Sequence, residues 1–420
     1  MSLKYMASPV AIEQGLYIAY GAFAAMALIS IAIGSFASLK MWRDPSAKKE
    51  AIKRQIGDLE DENADAPSEL LSTQDAFLLP AYGSVVLLGL YHAFINLDKM
   101  YVNYTYTTYF CFLAVLSASL AGVSIINSAL RLLGFKIELW QINLGRKSRE
   151  LYSASFSIVH MVLLTLSICL AGLYVATNNW IVFDIFGIGL VIAAIQSFSL
   201  DSFSAGFTLL TGFFVYNIGW GYQNVVQSTV TRNLETSLKL LFPKMLFGLP
   251  AGQASQFALL GLDDVIIPGL FVALCLRYDQ HKAGLRNPEL GRSTGFRKPY
   301  FIACLIAYIL GLGVFMYAEQ VWASFPAYIY IAPLCTFSVL LTGAVRGELG
   351  AVFAYVSLEG QEQALAKRKA IEDKLRKRRT QHVPVVRRNP ASKLPSVIRE
   401  ESHLPQAQAQ AQATPTESST

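Results

Sequence analysis

Residues 257–279 read FALLGLDDVIIPGLFVALCLRYD. The first twenty of them carry no charge except two adjacent acids, Asp263 and Asp264. A run of that length and apolarity suits the hydrocarbon core of a bilayer, about 30 Å thick. A carboxylate there costs about 2.5–3.5 kcal/mol, so it faces a bundle interior or a water-filled cavity. The stretch therefore predicts a membrane protein of several helices with a polar interior site. FFVYNIGWGY, residues 213–222, asks the same question: Asn217 stands in an apolar run beside Tyr216 and Trp220.

The rest of the chain answers in kind. Of 420 residues, 53% are hydrophobic and 15% charged, against about a quarter charged in soluble domains. Nine runs are long enough to cross: 16–39, 77–97, 107–130, 154–175, 180–197, 203–224, 256–276, 300–318 and 323–345. The predicted fold is an all-α polytopic bundle. Strands are disfavoured, because open sheet edges go unsatisfied in lipid and no barrel alternation is present. The first run follows a single base, Lys4, and is too long for a signal-peptide core, so it reads as a retained anchor. Cys111, Cys169, Cys275, Cys304 and Cys335 all fall in spans without CxxC spacing, as buried small hydrophobes do. No metal, cofactor or nucleic-acid partner is expected.

Loop charges orient the bundle. Lys40, Arg43, Lys48 and Lys49 follow the first run, Arg131, Lys136, Arg146 and Lys147 the third, and Arg277, Lys282, Arg286 and Arg292 the seventh. The odd loops and the C-terminus are thus expected in the cytosol, the N-terminus in the lumen. A sequon, Asn103-Tyr104-Thr105, then falls on the lumenal side as a glycosylation candidate. LETSLKLLFPK at 234–244 carries an apolar stripe of Leu234, Leu238, Leu241 and Phe242, expected to form a short surface helix. The tail runs through ALAKRKAIEDKLRKRRTQ to a QAQAQAQAT repeat. It cannot build a core, and its basic part suits either anionic lipid or solvent. Four regions result: 1–76, anchor and cytosolic loop; 77–200, spans two to five; 201–350, spans six to nine; and 351–420, the basic tail.

Among the polar groups in spans, His92 and His160 read as packed imidazoles and Asp184, near an interface, as structural. Asp263 and Asp264 lie two turns into the predicted seventh span. Adjacent helical residues point about 100° apart, so the two carboxylates are expected to aim in different directions. Gly261 permits close backbone approach, and Pro268 loosens the helix below.

These residues resemble the motifs of the signal peptide peptidase family, the presenilin-type intramembrane aspartyl proteases. That family carries YD on its sixth span, GxGD on its seventh and PAL at its ninth. Here the positions read Tyr216-Asn217, Gly261-Leu262-Asp263-Asp264 and Pro326-Ala327-Tyr328. The flanking strings SLDSFSAGFTLLTGFFVYN, FPAYIYIAP and LLPAYGSVVLLGLY are similar as well, so the likeness covers about 70–350. It implies an endopeptidase of the endoplasmic reticulum membrane, acting on transmembrane helical peptides such as signal-peptide remnants and type II membrane segments. It also implies a groove near Pro326 that pairs with an unwound substrate strand. Quality-control machinery at the cytosolic tail and a homo-oligomer are further partners to consider.

The departures bear on chemistry. Two carboxylates sharing a proton supply the acid and the base of such a site. Asn217 stands in the first acid's place, Asp263 in that of the second motif glycine, and Tyr328 in that of the PAL leucine. A carboxamide can donate a hydrogen bond but cannot shuttle the proton. Asp264 is then the surviving catalytic acid. Two readings stay open: an endopeptidase with an altered first position, or an inactive pseudoprotease that binds transmembrane segments for membrane quality control.

Overall fold

The structure is a computed structural model, and it describes residues 9–39, 69–132, 140–146, 149–156, 158–221, 225–234, 239–243, 257–321, 325–357, 360–361 and 375. Residues 1–365 form one compact unit and 366–420 a second, nearly all of it outside the described residues. Most of the predicted cytosolic loop at 44–75 also lies outside them.

Long helices dominate the first unit: α1 (Pro9–Ala37), α2 (Thr73–Asn96), α3 (Lys99–Leu132), α4 (Ile158–Thr177), α5 (Trp180–Ser197) and α6 (Phe203–Gly221). After a short α7 (Val225–Asn233) come α8 (Asp263–Arg286), α9 (Pro288–Arg292), α10 (Pro299–Val321), α11 (Tyr328–Val345) and α12 (Leu349–Ala354). Among the described residues, seven helices are long and apolar enough to cross a membrane: α1 to α5, α10 and α11. The two expected spans outside that set, α6 and α8, carry the motif residues. Large apolar side chains such as Val85, Val86, Met161, Ile306 and Leu310 point outward, as lipid contact requires and water would not favour.

Local chemistry sets several boundaries. Ser72 and Asp75 form a capping box at the start of α2, satisfying two orphan N–H groups. Asn179 caps α5 by accepting from the Ile181 N–H at 2.9 Å. α8 is the central helix, buried along most of its length and packed by α1, α5, α6, α10 and α11. Apolar side chains gain little by leaving lipid for one another, so close packing must hold such helices together. Two glycines make it possible. A Cβ on Gly206 would meet Phe271 at 2.7 Å, and one on Gly269 would meet Ile195 at 2.6 Å.

Strands appear where none was expected. β1 (Glu69–Leu71) pairs in parallel with β4 (Phe198–Leu200), and β2 (Trp140–Arg146) antiparallel with β3 (Arg149–Phe156). β5 (Lys239–Pro243) pairs antiparallel with β6 (Phe257–Gly261), Lys239 opposite Gly261. The helix read over 234–244 is therefore corrected. Leu240 is buried and Leu241 half-buried, and the strand is fixed by its pairing with β6. The seventh span is corrected too: its first residues are β6, and helix begins only at Asp263.

Three smaller expectations change. Asn103 sits inside α3, 8% exposed, and donates to the Asn233 carbonyl at 3.0 Å. Its side-chain amide is thus engaged in the folded chain. Cys275, Cys304 and Cys335 are buried as expected, but Cys169 is exposed on α4, and His92 is exposed on α2. The start of the region read as tail is packed: Ser357 N–H donates to the Asp201 carbonyl at 2.7 Å, and Ser202 bridges to Val356.

Candidate functional site

The site forms where β6 passes into α8 and α11 begins. Leu262 precedes the first helical turn, so Asp263 and Asp264 occupy that turn instead of lying deep in the helix. This reverses the expected divergence of their side chains. Asp263 Oδ1 and Asp264 Oδ2 both lie under 3.0 Å from the point where a Cβ on Gly261 would sit. The two carboxylates fold back over the same glycine. No larger residue fits at Gly261 without displacing both.

Asp264 is 7% exposed, and its Oδ1 accepts the Tyr328 N–H at 2.9 Å. Tyr328 is the first residue of α11. The helix thus turns its N-terminal end, with its partial positive charge, toward the carboxylate. The Tyr328 hydroxyl donates to the Leu210 carbonyl on α6 at 3.2 Å, and its ring lies 6.2 Å from that of Phe213. One side chain, with its own N–H, therefore ties α6, α8 and α11 together. Pro326 accepts from the Ile329 N–H at 3.2 Å, and Ala327 is 2% exposed. Among the described residues, the Pro326 carbonyl is therefore already engaged.

On α6, Asn217 is 5% exposed, and its Nδ2 donates to the Phe213 carbonyl of its own helix at 3.0 Å. No hydrogen bond joins it to Asp264. Tyr216 packs edge-on to Phe213 at 5.8 Å and lies against Gly83 of α2. Asp263 is exposed and close enough to Tyr216 and to Lys239 of β5 to act on both electrostatically.

Two contributors were not legible beforehand. Lys239 enters through the strand register opposite Gly261. Tyr308 of α10 is fully buried near Asp264, its hydroxyl without a hydrogen-bond partner among the described residues; one tyrosine in an apolar run gives no signal. Asp184, read as structural, holds the neighbouring strand: its Oδ1 accepts the Leu241 N–H at 2.8 Å and anchors β5 to α5.

Between α2 and α6 runs a mostly apolar groove of about 740 Å³, lined by Pro80, Ser84, Gly212, Tyr216 and Trp220 among others. Trp220 Nε1 donates to Ser84 Oγ at 3.0 Å across it, and Gly212 lets Pro80 approach closely.

Comparison with known proteins agrees with this geometry. A profile described as signal peptide peptidase matches residues 62–359. The signal peptide peptidases of Mus musculus and Homo sapiens are each 30% identical to this chain over 354 residues, 83% of this chain and 85% of theirs. Intramembrane protease 2 of Caenorhabditis elegans is 35% identical over 183 residues, 42% of this chain and 38% of its own. With buried Asp264 held by the first residue of α11 and a family profile matching residues 62–359, the chain belongs to the signal peptide peptidase family.

Proposed function

We propose that this chain binds transmembrane segments at the Asp264 site, in the manner of a signal-peptide-peptidase-type protein, and holds them without efficient hydrolysis. The observation that carries this is Asn217. Its amide is turned to its own helix and gives Asp264 no second acid. Losing one acid–base partner costs about 10²–10⁴ in rate. The partners are signal-peptide remnants and type II membrane segments, in a nine-span bundle of the endoplasmic reticulum membrane with the C-terminus cytosolic. Membrane quality control is the setting that uses binding of this kind.

The groove between α2 and α6 offers a route by which such a segment reaches Tyr216. An unwound segment would pair with β6 more readily than with the engaged carbonyl at Pro326. The Leu241 N–H already bonds Asp184, so β5's outer edge is capped, while β6 leads straight into Asp264. Strand addition there supplies main-chain affinity without chemistry.

A second reading rests on the convergence of Asp263 and Asp264 over Gly261. Two adjacent acids could share one proton and supply hydrolysis from a single helix end. Cleavage of a model signal peptide by reconstituted variants separates the two. Asn217→Asp raises cleavage at least about 10²-fold if the missing acid is what silences the site. Strong cleavage by the unmodified chain, lost in both Asp263→Asn and Asp264→Asn, establishes the second reading instead.

A further inference from the structure

α8 runs from Asp263 to Arg286, about 35 Å as a helix, so its far end lies well away from the site just described. There, where α8 ends, α10 begins and α11 ends, a cavity of about 830 Å³ opens. Five of its lining side chains are basic: Lys282, Arg286, Arg297, Lys298 and Arg346. The one lining acid, Asp279, is 2% exposed and turned inward, accepting the Phe301 N–H in the first turn of α10 at 3.0 Å.

Three of the bases are already engaged. Lys282 and Arg346 share the Glu348 carboxylate. Lys298 donates to the Thr294 carbonyl at 2.7 Å and lies 4.6 Å over the Phe296 ring. Arg286 and Arg297 are exposed, and no hydrogen bond or ion pair joins their side chains to any described residue. Like charges lining a concavity of low-dielectric walls focus a field that draws in anions. Guanidinium forks match phosphate oxygens in pairs, and the volume suits a small polar ligand.

We propose that this cavity is a binding site for a phosphate-bearing anionic headgroup, with Arg286 and Arg297 as its direct ligands and Lys282 and Arg346 behind them. A phosphomonoester brings about −1.5 to −2 charge, which answers several cations better than a single carboxylate does. Basic cavities between membrane helices on the cytosolic side, where loop charge would place this end of α8, take phosphoinositide headgroups. The same chemistry also exists in soluble inositol phosphates.

The test uses full-length protein in phosphatidylcholine nanodiscs doped with phosphatidylinositol bisphosphate, or with phosphatidylserine, and reads the lipid retained. Each nearby base contributes about fivefold, so Arg286→Gln with Arg297→Gln is expected to lower phosphoinositide retention about thirtyfold. Glu348→Gln is expected to raise it, because Lys282 and Arg346 are released. A variant that merely disturbed the fold would lower it. Arg292→Gln, an exposed base outside the cavity lining, leaves retention unchanged. Soluble inositol trisphosphate that displaces the lipid identifies a soluble ligand; lipid retained in its presence identifies the membrane as the source. Both results carry the phosphate assignment. Unchanged retention in the double variant, equal loss in Arg292→Gln, or equal retention of phosphatidylserine overturns it.

Discussion

Asn217, Gly261 and Tyr328 decide what this site can do. Asn217 and Asp264 were legible as a problem in the sequence, since polar groups in apolar runs demand a purpose. The pairing of Asp263 with Asp264 was not. Reading both as mid-helix residues spread them 100° apart, whereas a helix start frees them to fold back over Gly261. Gly261→Ala is therefore expected to push both carboxylates aside and weaken crosslinking of a transmembrane peptide. Tyr328→Phe removes only the hydroxyl that reaches Leu210. A buried hydrogen bond of this kind is worth about 1 kcal/mol net. Thermal unfolding in detergent should show a loss of that size, with peptide binding intact because the Tyr328 N–H still holds Asp264.

The helices were legible from length and apolarity, and the strands were not. LETSLKLLFPK has a helical stripe and a strand alternation at once, and short apolar runs do not settle between them. What decides is tertiary: Asp184, on a helix remote in sequence, holds the Leu241 N–H and β6 holds the rest. Asp184→Asn offers that N–H an uncharged carbonyl in place of a carboxylate, whereas Asp184→Ala leaves it unpaired at a cost of about 1–3 kcal/mol. Hydrogen exchange of residues 239–243 should accelerate in Asp184→Ala, and much less in Asp184→Asn. At the opposite end, Lys282 holds the Glu348 carboxyl below its ordinary 4.5. A lowered carboxylate contributes stability above the unfolded value and loses it as pH falls through the folded one. The stability gap between the unmodified chain and Glu348→Gln, about 1 kcal/mol at most for so exposed a network, should be full at pH 7. It should close as pH falls below 4.5.

For the molecule as a whole, loop charge predicts an orientation that protease protection in intact microsomes can check. A tag after Thr420 should be digested from outside; a shielded tag contradicts the topology. The central claim is that the chain retains the family's grip on transmembrane segments without its two-acid chemistry. Photo-crosslinking and cleavage of one model signal peptide, read from the same reconstituted sample of unmodified protein, test it most directly. The account predicts crosslinks, diminished by Gly261→Ala, with cleavage at least about 10²-fold below that of the Asn217→Asp variant. Cleavage by the unmodified chain equal to that of Asn217→Asp, or no crosslink in either, would contradict it.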